Sequence, residues 1–386
     1  MLLYHFSEAA YPHLPNEDHY SSIRVELPNE IYDPEIGAKL YRERLDEWCL
    51  ADELGLNIML NEHHQTATCV VPSIAVFGGI LARETKKARI LQLGNPVGNR
   101  RDPIRVAEET AMVDVISGGR LDCGFVRGVP YEIAPANANP VGQSARMWEA
   151  IDLIVKAWTT HDGPFRWEGP NFHYRSVNVW PRPLQSPHPP LWMPTFSAST
   201  ARELARRKWV IATMSAGFKR TREIFDAYRE EYRNVHGAEA PMDRFAFLGL
   251  GYVADNDTDA RKGAEGLMWY LQTNKVAPQY GAPPGYVSPK QAVAMRMAGS
   301  HDLGDLRKPD VDVQTALGNL YWGTPDKVAA QTAKFHEQVG GLGHLLLMGQ
   351  AGGMSYASTA SHLKLLAQEV SPHLEELGRA EAHAAE

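Results

Sequence analysis

Three consecutive residues, Glu62-His63-His64, set a carboxylate beside two imidazoles. They follow Asn57-Ile58-Met59-Leu60-Asn61, a short apolar run that reads as a buried strand. Side chains alternate along an extended chain, so Glu62 and His64 face one way and His63 the other. That split makes a two-histidine metal site awkward, and the HExxH spacing of a zinc helix is missing, so no metal is expected. An imidazole at a strand end is suited to moving protons, because its ordinary pKa lies close to working pH. Two satisfied structural histidines are the competing reading of this tripeptide.

The second chemistry in the sequence is anion binding. Arg127-Gly128 ends the run Leu121 to Val126, and an arginine beside a residue that permits close backbone approach suits a phosphate. Arg146 opens the next helical stretch and can reach the same anion. Ser197-Ala198-Ser199-Thr200 follows the run Leu191 to Pro194, and a helix N-terminus offers amides and hydroxyls to an anion. A salt bridge or a plain N-cap explains each of these singly; their joint placement after successive strands favours the anion. Gly94-Asn95-Pro96, after another strand, permits an unusual backbone beside a ligand. Arg100 and Arg101 read as solvated charges at a helix entry, and Trp269, Tyr270, Tyr321 and Trp322 as core or lid packing. GxGxxG, P-loop and GxSxG motifs are missing, which sets aside dinucleotide, NTP and α/β-hydrolase readings.

The elements that position these residues alternate in type. Strands are expected at Leu2–Phe6, Asn57–Asn61, Ala88–Leu93, Leu121–Val126, Leu191–Pro194, Val210–Met214, Phe245–Ala254 and His344–Met348. Helical patterns separate them: Gly37 to Leu54, a helix opened by Pro72, one from Asp102-Pro103 to Ile116, then Ser144–Trp158, Ser199–Arg207 and Arg220–His236. A further helix starts after Asp255-Asn256-Asp257 and the last at Gly323-Thr324-Pro325. Eight strand–helix units predict a (β/α)8 barrel over residues 1–386 as a single domain, with the site at the C-terminal ends of the strands. A doubly wound sheet is the rival, but it calls for a Gly-rich loop after the first strand. Two stretches break the rhythm. Residues 161–189 read as an excursion between units, and residues 273–322 as a long insertion acting as a mobile lid.

Composition fits this picture. Apolar residues make up 44% and charged residues 22% of 386, the profile of a folded chain rather than a disordered one. With 39 Lys+Arg against 46 Asp+Glu the net charge is −7, which argues against nucleic acid or an anionic membrane as partner. Cys49, Cys69 and Cys123 are scattered and form no CxxC pair, as expected in a reducing compartment. The longest apolar run, Val70 to Ala82, is broken by Pro72, Ser73, Gly78 and Gly79 and falls short of the roughly 20 residues of a membrane span. Met1 to His5 lacks a basic n-region, so a cytoplasmic location is expected.

The sequence also resembles the bacterial luciferase-like family of flavin-dependent monooxygenases. Glu62-His63-His64 is similar to the family's EHH after the second strand, whose first histidine is catalytic. Pro103-Ile104-Arg105-Val106-Ala107-Glu108-Glu109 through Asp114, then Ser117-Gly118-Gly119-Arg120-Leu121 and Gly124-Phe125-Val126-Arg127-Gly128, match its most specific run. Ser144 to Arg146, Ser197 to Thr200, Gly323-Thr324-Pro325, and Leu342-Gly343-His344 through Pro372-His373-Leu374 also match, so the likeness covers essentially the whole chain. It departs from luciferase at Phe196, where luciferase has Glu, and in a longer N-terminal loop at residues 9–34.

The resemblance implies a barrel that binds FMN. Arg127, Arg146, Ser197 and Thr200 would hold the flavin phosphate, Asn95 would lie beside the isoalloxazine, and His63 would act near the flavin C4a position. It implies reduced FMN delivered by a separate flavin reductase, reaction with O2 to a C4a-(hydro)peroxyflavin, oxygenation of a small organic substrate, and a homodimer. An F420-dependent oxidoreductase on the same barrel and a non-catalytic flavin-binding protein are the competing readings.

Overall fold

The computed structural model describes residues 1–16, 19–273, 280, 285–286, 288–291, 293 and 309–384. Strands β1 (Leu2–Ser7), β2 (Asn57–Leu60), β3 (Ile90–Pro96) and β4 (Leu121–Val126) alternate with helices α1 (Pro34–Glu53), α2 (Ile74–Glu84) and α3 (Pro103–Ser117). Helix α4 (Gln143–Thr159) leads into a hairpin, β5 (Phe165–Glu168) and β6 (His173–Val177). Then come β7 (Leu191–Pro194), α5 (Ala198–Arg206), β8 (Val210–Met214), α6 (Gly217–His236), β9 (Phe245–Val253) and α7 (Asp257–Gln272). Helix α8 (Val311–Leu317), β10 (Leu320–Gly323), α9 (Pro325–Gln338), β11 (His344–Gln350), α10 (Tyr356–Leu365) and α11 (Ser371–Ala384) complete the order.

Eight strands close a parallel barrel in the order β1-β2-β3-β4-β7-β8-β9-β11, with β11 pairing back onto β1 (Leu3 opposite Leu345) and β8 onto β9 (Ala212 opposite Ala246). They are the eight strands expected from the apolar runs. Alternation sorts their side chains into two layers. Tyr4, Phe6, Met59, Leu91, Val210, Ala246, Leu248, Leu346 and Met348 fill the barrel. Leu3, Ile58, Leu60, Ile90, Ile211, Phe247, Leu345 and Leu347 meet the helices. The floor is polar but closed: Arg89 clasps the buried Asp122 carboxylate at 2.7 and 2.6 Å, and His344 packs on Trp192 with ring centroids 4.6 Å apart.

Local chemistry sets the helix ends. Asp102 accepts from the Ile104 N–H at 3.1 Å with Pro103 in the first turn, and Gly118 closes α3 at φ +69°. Asn256 caps α7 through the Asp259 N–H at 3.0 Å. Helix α2 starts at Ile74 under a Ser73 cap rather than at Pro72.

The two irregular stretches differ from expectation in instructive ways. The excursion at 161–189 contains the β5–β6 hairpin and is tied down by two carboxylates. Glu149 accepts from Asn171 and Phe172 backbone N–H groups, and Asp114 accepts from those of Leu184 and Gln185 at 2.8 and 2.9 Å. The insertion expected at 273–322 is regular over its last part. Helix α8 lies there, and β10 pairs with the C-terminal half of β9 (Tyr321 opposite Gly251). A four-residue strand, LYWG, is too short to carry a visible alternation. The stretch from 274 to 308, on which the lid expectation mainly rests, lies almost wholly outside the described residues.

Candidate active site

The strand C-terminal ends gather the residues singled out above. Glu62 and His64 do fall together and His63 apart, as alternation requires. Glu62 is buried and its Oε1 meets His64 Nε2 at 2.8 Å and the Arg100 guanidinium, while its Oε2 accepts the Ile74 N–H at 2.9 Å at the start of α2. Arg100 is therefore no solvated charge: it neutralises a buried carboxylate, a partner that a basic pair at a helix entry does not reveal.

His63 faces a different neighbourhood. Its Nδ1 is 3.0 Å from Glu132 Oε1 and 3.0 Å from the Tyr131 hydroxyl. Glu132 is buried, and the same Oε1 accepts the His64 backbone N–H at 3.0 Å. Among the described residues nothing bonds His63 Nε2. Behind Tyr131 lies Arg24, fully buried, which donates to the Tyr131 oxygen at 3.3 Å and to the Thr273 carbonyl at 2.8 Å. Burial works against the Arg24 charge, but Tyr131 and Glu8 outweigh it and hold the guanidinium above its ordinary pKa. Burial pushes the Tyr131 phenol well up, so it stays protonated. Cys69 is likewise pushed up by burial, with Glu8 adding to the effect. It behaves as an inert thiol rather than a nucleophile.

The expected anion ligands are spread along one arc of the same face. Arg127 is exposed and its guanidinium has no partner among the described residues. Its backbone is held tightly: a Cβ on Gly98 would stand 2.4 Å from the Arg127 carbonyl, and one on Gly128, at φ +101°, 2.4 Å from Asn99 Nδ2. Arg146 is already engaged, donating to the Arg100 carbonyl at 2.7 Å and lying 4.2 Å above the Phe172 ring; burial lowers its pKa. Ser197 caps α5 on the next strand round, with its Oγ 2.7 Å from Ser199 and 3.5 Å from the Thr200 N–H. Asn95 is buried in the wall between β3 and β4, its amide nitrogen donating to the Gly124 carbonyl at 3.0 Å. No bond in the structure joins Arg127 to Arg146, or either to Ser197 and Thr200.

Glu132, Tyr131 and Arg24 escaped the sequence reading. Tyr131 and Glu132 lie in a short 3-10 turn and Arg24 in a turn, and His63 and Glu132 are 69 positions apart; only the place of Tyr131-Glu132 just after Arg127-Gly128, at a strand C-terminal end, hints at them. Among the described residues no cluster of three His, Cys, Asp or Glu could hold a metal ion, and no helix is long and apolar enough to cross a membrane.

A closed parallel barrel with a buried carboxylate–imidazole pair and an unpaired guanidinium at its strand C-terminal ends defines a TIM-barrel protein with an enzyme-like mouth. The chain belongs to the luciferase-like monooxygenase family, whose model matches residues 28–341. It is 28% identical over 241 residues to the oxygenase component of the flavin-dependent trigonelline monooxygenase of Acinetobacter baylyi, covering 61% of this chain and 65% of that one. It thus spans just under two thirds of that relative's length. In fold it is similar to the oxygenating constituent of 3,6-diketocamphane monooxygenase of Pseudomonas putida, a type II Baeyer–Villiger monooxygenase in complex with FMN. There the TM-score is 0.69 at 19% identity, over 87% of this chain and 93% of that one. An F420-dependent secondary alcohol dehydrogenase is similar at TM-score 0.66 and 16% identity, over 86% and 94%.

Proposed function

We propose that this chain is the oxygenase component of a two-component monooxygenase, using reduced FMN from a separate reductase and O2 to oxygenate a small organic substrate. The observation that carries the reading is the His63 ring, bonded on Nδ1 and, among the described residues, free on Nε2, at the mouth of a barrel of this family.

The residues fit a phosphorylated flavin. Arg127 has no partner among the described residues to give up on binding, its loop is fixed by the close approach of Gly98 and Gly128, and the capped N-terminus of α5 stands on the adjacent strand unit. In this reading Arg127, Arg146, Ser197 and Thr200 hold the phosphate, and Asn95 shapes the wall beside the ring. When bound, reduced FMN supplies the electrons that activate O2. His63 Nε2 takes up or returns a proton at the reacting atoms, while Glu132 and Tyr131 keep the ring in place. The packed barrel interior closes the site from below.

The F420 reading has support in the similar fold of an F420-dependent dehydrogenase, and it makes a different demand: hydride transfer without O2. Anaerobic titration with reduced FMN, oxidised FMN and F420, followed by mixing with O2, separates the readings. Binding of reduced FMN and substrate-dependent O2 consumption are expected. Tight binding of F420 with none of reduced FMN would refute the proposal, and FMN binding without any turnover would favour a flavin-binding protein.

A further inference from the structure

We propose that Glu132 is a positioning residue: its carboxylate fixes the His63 proton on Nδ1 and so leaves Nε2 as the nitrogen that exchanges protons with bound reactants. This rests on the role given to His63 above.

An ionised carboxylate only accepts. Glu132 Oε1 already accepts the His64 amide at 3.0 Å, and the His63 Nδ1 lies at the same distance from it. A proton on Nδ1 satisfies that contact, whereas a bare Nδ1 would set a lone pair against a buried negative charge. A free imidazole in water prefers its proton on Nε2, so the protein reverses the ordinary tautomer. The Tyr131 hydroxyl, 3.0 Å from Nδ1, is compatible with the same tautomer: its oxygen accepts from Arg24 at 3.3 Å and keeps a second lone pair for the Nδ1–H.

The groups around the ring come from four segments. Glu132 and Tyr131 lie on the β4–α4 connection and Arg24 on the β1–α1 connection. Glu8, at the end of β1, and Cys69, on the β2–α2 connection, lie beyond Arg24. Glu62, His64 and Arg100 form their own cluster through the other side of the tripeptide. Of these, Glu132 and Tyr131 alone bond the His63 ring, and only Glu132 brings a charge to it.

The test uses the full chain, free of flavin, with 15N-labelled histidine. In the wild type the His63 resonances should show a protonated Nδ1 and a bare Nε2 above the ring's titration midpoint. Glu132→Gln keeps the shape and an acceptor for both N–H groups but removes the charge. There the proton should stay on Nδ1 while the midpoint falls by about one pH unit or more. Glu132→Ala should let the Nε2–H form take over; if that variant does not fold, Glu132→Gln still decides. In the loaded enzyme the acid limb of the kcat profile should move with the midpoint measured by resonance. A wild-type ring protonated on Nε2, an unmoved midpoint in Glu132→Gln, or a kcat profile that ignores the shifted midpoint would each overturn the proposal. Because the tautomer is read without flavin, a chain that shows it but never turns over would refute the oxygenase reading instead.

Discussion

Replacing Arg127 with Ala separates binding from stability unusually well. The guanidinium is exposed and has no partner among the described residues, so truncation breaks no internal contact. The melting temperature should stay within about 1–2 °C of wild type, as for a surface substitution away from special features. A flavin phosphate bound there would lose a charge-assisted contact worth about 1.5–3 kcal/mol, weakening binding roughly 10- to 150-fold. Arg146→Ala provides the contrast. That side chain donates to the Arg100 carbonyl and stacks on Phe172, so its loss should cost about 1–2 kcal/mol of folding stability as well as affinity. Fluorescence titration of FMN, in parallel with thermal unfolding, reads both quantities. Since an exposed arginine acts through a screened field, the Arg127 effect should also shrink at high salt. An Arg127→Ala protein that binds FMN like wild type removes this residue from the phosphate site, and one that melts much lower shows that the guanidinium has a structural partner after all.

Gly128→Ala should lower both stability, by about 1–3 kcal/mol, and FMN affinity, because the site combines a left-handed φ with a Cβ 2.4 Å from Asn99; unchanged affinity would free the loop from any binding role. Asp114→Ala removes the acceptor of the Leu184 and Gln185 N–H groups, at a cost of about 2–4 kcal/mol, so chymotrypsin should cut after the exposed Leu184 where the wild type resists, and equal resistance would show another anchor. Acid should destabilise the fold early. Burial lowers His344 to about 4 and His362 to about 3, below the unfolded value near 6.5. Their stabilisation is complete above pH 6.5 and declines as pH falls toward those values, at about 1.4 kcal/mol per histidine per pH unit. Urea unfolding at pH 7, 6 and 5 measures it, and a flat profile over that window would show that both rings take up protons in the folded protein as readily as in the unfolded chain.

Much of the barrel was legible because its strands are buried on both faces and read as unbroken apolar runs; β9, FAFLGLGYV, is buried throughout. The pair Asp102-Pro103 and the glycine at 118 announced α3 for equally local reasons. The β5–β6 hairpin and β10 were hidden. One is a half-exposed ribbon among prolines, the other a strand of four residues, and tertiary pairing rather than pattern makes each. At the candidate site, the placement of His63 and Arg127 at strand ends could be read from the sequence. Their partners could not. Glu132 meets His63 across 69 positions and Arg24 meets Thr273 across 249, contacts that exist only once the barrel has closed.

The closed floor has a kinetic meaning. Arg89 with Asp122, and His344 against Trp192, cork the N-terminal end of the barrel, and Tyr4, Phe6, Leu91 and Met348 fill the bore above them. Among the described residues the packed bore and floor leave no second passage along the barrel axis. With the axis closed from below, what the mouth admits should depart by the way it came, so arrivals and departures share a corridor and take turns. A bulky guest lodged at the rim therefore governs the exit of anything seated deeper. In such a vessel the order of loading also dictates the order of release, and an excess of the late-arriving component should slow turnover by trapping the earlier one beneath it.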